Sequence, residues 1–146
     1  MELRRRTLLR VVAGIGGVWL SGCTTGHRDR PEGLARVEFY NYDTTGHVVE
    51  AKLSNQSGTV LADRTMNLAP ATAQSADEAT PIPTTEWISD FPEQTGTFQL
   101  QWSVDSSQQE TFQTENIQGC ELLRAEIDSA GQMTVRTHGT VDCYGE

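Results

Sequence analysis

Gly96-Thr97-Phe98-Gln99-Leu100-Gln101-Trp102-Ser103-Val104-Asp105 is the stretch that decides the fold class. Phe98, Leu100, Trp102 and Val104 fall on one side of an extended chain, and Gln99, Gln101 and Ser103 on the other. That period of two marks a strand with one buried face and one wet face. Trp102 is the first residue expected in the core.

The same alternation spreads in both directions, with turn residues between runs and no sustained helical periodicity. Upstream, Val37-Glu38-Phe39-Tyr40 opens a first strand, and Asp43-Thr44-Thr45-Gly46 turns it into a second in which Val49, Ala51 and Leu53 share a face. After the turn Ser54-Asn55-Gln56-Ser57-Gly58, a third strand spans Thr59 to Leu68, its pattern interrupted by Asp63 and Arg64. Residues 69–85 hold Pro70, Pro81 and Pro83 and read as a long connection. Glu86-Trp87-Ile88 is a short edge strand. Downstream, Gln109 to Asn116 forms a strand around Phe112. Leu123, Ala125 and Ile127 then turn through Asp128-Ser129-Ala130-Gly131 into Met133, Val135 and Thr137. Short strands separated by frequent turns predict an all-β, two-sheet antiparallel sandwich of immunoglobulin-like type, with about seven strands, over residues 35–146. The Cys-Trp-Cys order of antibody domains is absent, because Trp102 precedes both Cys120 and Cys143.

Ahead of that domain the chain has the three regions of a secretory signal: a basic stretch (Arg4, Arg5, Arg6, Arg10), an apolar stretch from Val11 to Leu20, and small residues before Cys23. As a helix the apolar stretch would span about 15 Å, half of the roughly 30 Å that a bilayer core requires, so a permanent transmembrane helix is a poor reading. Arg4-Arg5-Arg6-Thr7-Leu8-Leu9-Arg10 resembles the twin-arginine export motif, with Arg5 and Arg6 as the pair. Leu20-Ser21-Gly22-Cys23 resembles a lipobox, in which small residues precede a cysteine whose thiol takes a lipid after cleavage. The expected organisation is a signal peptide over 1–22, a flexible tether over 23–34 and the sandwich. The competing reading of Cys23 is an ordinary cysteine after an apolar run.

Without residues 1–22, 7 basic residues face 19 acidic ones, and Lys52 is the one lysine in the chain. The acids are spread along the sequence rather than gathered in a tail. Such a surface disfavours nucleic acid and anionic lipid headgroups as partners. Together with the export motif and lipobox, this composition resembles the twin-arginine-exported lipoproteins of haloarchaea that carry small immunoglobulin-like sandwiches. The resemblance implies a lipid anchor on Cys23, an extracellular position at the cell membrane, and stability that rises with salt.

Residues that could carry chemistry are few. Cys120 and Cys143 flank the last hairpin, and an exported pair defaults to a disulfide; two free thiols or a metal pair are the alternatives, neither supported by CxxC or CxxH spacing. His27, His47 and His138 are isolated; His138 with Asp142 and Cys143 comes nearest to a metal set, and surface histidines explain them better. No G-x-S-x-G elbow occurs, and Asp77-Glu78 reads as a solvated patch in the proline-rich connection. Asn55-Gln56-Ser57 is a glycosylation sequon. Trp87 and Phe91 are candidates for a recognition surface, against the alternative that both rings pack beneath the loop. No catalytic residue, metal ligand or cofactor is expected. The reading is a lipid-anchored, non-enzymatic interaction or accessory domain facing an envelope protein or extracellular ligand; the alternative is a small-molecule or ion-binding lipoprotein serving a transporter.

Overall fold

The alternating segments fold into eight strands: β1 (Gly33–Asn41), β2 (His47–Asn55), β3 (Val60–Leu68), β4 (Thr84–Ile88), β5 (Phe98–Val104), β6 (Glu110–Gln113), β7 (Cys120–Ile127) and β8 (Met133–Gly139). This is a computed structural model that describes residues 33–72, 81–92 and 94–139. Arg5, Arg6, Cys23, His27, the Asp77-Glu78 pair, Asp142 and Cys143 lie outside the described residues.

The strands form two four-stranded sheets, a front sheet in the order β4-β1-β7-β8 and a back sheet in the order β3-β2-β5-β6. The all-β sandwich expected from the alternation is present, with two corrections. There are eight strands rather than about seven, since every alternating segment pairs, including the short β4, which extends back to Thr84 and pairs with β1 along its whole length. The front sheet is mixed rather than antiparallel, because β1 runs parallel to β7. These two strands lie far apart in sequence, so no short hairpin dictates their relative direction.

The interior is made by the residues that the alternation places inward. Val37 and Phe39 of β1 and Leu123, Ala125 and Ile127 of β7 face Val49, Ala51 and Leu53 of β2 and Phe98, Leu100, Trp102 and Val104 of β5. Trp102 is buried as expected. The interruption at Asp63 and Arg64 belongs to an edge strand, where Ala62 and Leu68 alone of β3 are fully inside.

The first strand begins earlier than the expected domain boundary at 35. Gly33 and Leu34 belong to β1, and Leu34 is fully buried. Gly33 adopts a φ of +126°, and a Cβ there would come within 2.1 Å of the Gln94 carbonyl oxygen. Only glycine lets β1 enter at that point. The β5–β6 connection, residues 105–109, opens with a tight turn in which Asp105 (φ 51°) and Ser106 (φ 61°) are both left-handed, closed by Ser107 N–H donating to Val104 O at 2.8 Å. Non-glycine residues adopt that turn at a cost, and the Asp105 side chain shows where the cost is offset.

Candidate recognition face

On β1, the residues that alternate with the core are Arg36, Glu38 and Tyr40, so all three stand on the outer face of the front sheet. Cross-strand register then assembles a row that no local stretch of sequence contains. Trp87 of β4 lies opposite Glu38, Glu38 lies opposite Arg124 of β7, and Arg124 lies opposite Arg136 of β8. Glu38 is the centre of this face. Its Oε1 accepts from Arg36 Nε at 2.7 Å, and its Oε2 accepts from the Tyr40 hydroxyl at 3.0 Å and from Arg124 at 3.3 Å. Burial alone would push the Glu38 carboxyl up, yet the hydrogen bonds from Arg36, Tyr40 and Arg124 and the Arg36 charge leave it below its ordinary value. Arg124 also lies over the Tyr40 ring at 5.0 Å, Tyr40 stacks on Tyr42, and Arg136 grips Glu126 with both contacts under 3 Å.

Trp87 stands at the edge of this network and is 61% exposed, the most exposed large apolar side chain among the described residues. Of the five basic side chains among the described residues, Arg36, Arg124 and Arg136 share this face. A surface of tryptophan, tyrosine and arginine is the composition enriched where proteins bind one another. The sequence-level pair Trp87 and Phe91 is thereby divided. Phe91 is 7% exposed and packs in the core, the alternative weighed for it in the sequence, so it does not belong to a recognition surface. Beyond β4 the Phe91 ring joins the core, while β4 itself presents Trp87 outward.

A second cluster sits at one end of the sandwich. The His47 ring is buried, with Nδ1 2.6 Å from Asp105 Oδ2 and Nε2 2.9 Å from Asp43 Oδ2. Asp105 Oδ1 also accepts from the Val48 amide at 2.8 Å. One imidazole thus ties the β1–β2 loop to the strained β5–β6 turn, against Gly131 of the β7–β8 turn, where a Cβ would meet the ring at 3.4 Å. Burial lowers the affinity of His47 for a proton, but the two carboxylates outweigh it and hold its pKa above the ordinary value. Asp43 is lowered, chiefly by its bond to His47, and Asp105 by the Val48 amide and then His47. Nothing in the spacing of Asp43, His47 and Asp105 announces this cluster in the sequence.

Asn55 is half-buried, and its Oδ1 accepts from Ser57 N, Ser57 Oγ and Thr59 N at 2.7–3.1 Å, so the sequon forms a tight polar turn. Its Nδ2 faces Gln94 Oε1 at 3.4 Å. Cys120 opens β7 in register with Gly33. His138 is exposed near the end of β8. Among the described residues, no group of three or more histidine, cysteine or carboxylate side chains is arranged to hold a metal. No family model and no curated protein matches the chain. Among solved structures, the chain is similar to the NMR structure of a protein from Eubacterium rectale, at 15% identity over 80% of this chain and 100% of that one, with a TM-score of 0.43. A likeness at that level bears on neither site nor activity.

Proposed function

We propose that this chain is a lipid-anchored domain of non-enzymatic interaction type, carried by the twin-arginine route, held at the extracellular face of the membrane through Cys23, and closed by a Cys120–Cys143 disulfide. Its working surface is the outer face of the front sheet, where it meets an envelope protein. The observation that carries this reading is Trp87, an exposed indole beside a carboxylate already held by Arg36 and Arg124. A large ring on a face whose neighbours fix one another needs little ordering on binding. In crosslinking mass spectrometry on intact cells in their native salt, a partner should link through residues around β4. Trp87→Ala should weaken that partner at least tenfold, about 1.4 kcal/mol. An unchanged partner set in the variant removes the front face from the reading.

The acidic surface fits a saline exterior. With about 3 Å of Debye length in molar salt against about 10 Å at 0.1 M, repulsion among the carboxylates fades as salt rises. Thermal melts of the full chain in potassium chloride should shift steadily upward from dilute to multimolar salt. A flat response would remove the halophilic part of the proposal. The second reading, a lipoprotein that binds a small molecule for a transporter, draws its support from an open depression over the back sheet lined by Glu50, Lys52, Asp63, Thr65, Gln101 and Ser103.

A further inference from the structure

The outer face of the back sheet is as polar as the front is aromatic. Register across β3, β2 and β5 builds two rows of three side chains, Thr65–Glu50–Ser103 and Asp63–Lys52–Gln101. These six line an open depression of about 560 Å³, one wall of which is the β5–β6 turn. The volume lies within the range of small-molecule sites, roughly 300–1,000 Å³. Neighbouring strands are about 4.8 Å apart and alternate residues on one strand about 6.7 Å, so the grid spans about 10 by 7 Å. That is the footprint of one or two sugar rings.

We propose that this depression binds a neutral saccharide unit. A sugar presents a ring of hydroxyl groups, each both donor and acceptor, and the grid offers the complement: carboxylates that accept, an ammonium that donates, and amides and hydroxyls that do either. Lys52 is the one lysine in the whole chain, and it sits half-buried at the centre of the grid. Among the described residues no hydrogen bond or ion pair engages its ammonium, although Asp63 is its direct cross-strand partner. Glu50 accepts from Ser103 Oγ at 3.2 Å and keeps its other oxygen available to a ligand. A small anion is disfavoured by two carboxylates against one ammonium, and a small cation by the ammonium between them. In concentrated salt either ion also competes with its bulk counterpart, whereas hydrogen bonding to a neutral polyol does not. With no aromatic ring in the lining, affinity is expected on the order of 1 mM. The inference stands apart from the front face and from the lipid anchor.

The test is ¹⁵N amide-shift titration of the full chain in detergent and multimolar potassium chloride with methyl α-glucoside, methyl α-mannoside and methyl β-galactoside, and with sodium gluconate and calcium chloride as charged comparators. At least one glycoside should shift amides of β2, β3 and β5 saturably. Lys52→Met and Gln101→Ala should each weaken it at least fivefold with spectra otherwise preserved, and Trp87→Ala should leave it unchanged. Absence of a saturable response at about tenfold above the expected constant overturns the proposal. So does tighter binding of gluconate or calcium at the same amides. Loss of the front-face partner in Trp87→Ala with sugar binding intact would show the two faces to be independent.

Discussion

Asn41→Ala is expected to lower the unfolding free energy by about 3 kcal/mol, roughly 1 kcal/mol for each of three hydrogen bonds left without a partner. Asn41 ends β1 on the inward-facing side and is fully buried, yet it is polar. Its Nδ2 donates to Thr45 O at 2.8 Å and to Ala69 O at 2.9 Å, and its Oδ1 accepts from the Asp43 amide at 2.9 Å. One side chain therefore caps the β1–β2 loop and fastens it to the segment after β3. Truncation removes all three bonds in a place where water does not replace them cheaply. Asn41→Leu keeps most of the volume and restores none of the bonds. It should cost nearly as much, which separates the polar loss from a cavity. Urea titration in constant multimolar potassium chloride reads both variants. A loss below about 1 kcal/mol in either would mean that the loops find other partners and that Asn41 is not what holds them.

The inward set of the sandwich was legible because burial on one face of a strand leaves a period of two in the sequence. Val49, Ala51 and Leu53 against Phe98, Leu100, Trp102 and Val104 needed no knowledge of pairing. What was not legible depends on register between distant strands. Arg124 reaches Glu38 only because β1 and β7 run side by side in parallel, and alternation says nothing about which strands are neighbours. The end cluster escaped for a different reason. Asn41, Asp43, His47 and Asp105 lie at strand ends, where short polar residues are read as turn formers whatever else they do. Asp105 looked like the last residue of a strand and is instead the first of a left-handed pair. Trp87 and Phe91 could not be told apart in the sequence, because an aromatic near a proline-rich connection looks the same whether its ring ends outside or in the core.

These polar ends and the two faces divide the work. Sheet interiors set the fold, while the partly buried His47–Asp105 contact ties down the β5–β6 turn that forms a wall of the back-sheet depression. A change in the end cluster should thus appear first as local loosening of that turn.

The pH dependence of stability follows from the same cluster, and His47→Gln should remove its alkaline limb. The His47 pKa is raised in the folded state, so its contribution is fully present below the unfolded value near 6.5 and is lost as pH rises through the folded pKa. Asp43 and Asp105 are lowered, so theirs is present above the unfolded value of 3.8 and is lost as pH falls through their folded pKa values. Stability from this cluster is greatest between those two unfolded values and declines on either side. On the alkaline side the cause is concrete. A neutral imidazole has one proton for two carboxylates, and its bare nitrogen then faces an oxygen lone pair at hydrogen-bonding distance. At pH 6, His47→Gln should cost about 2 kcal/mol, the scale of losing a hydrogen bond to a charged group. Its melting temperature should then stay nearly level between pH 6 and 9, where the parent falls. A slope that survives in His47→Gln would place the titrating group elsewhere and reduce the Asp43–His47–Asp105 tie to a neutral packing contact.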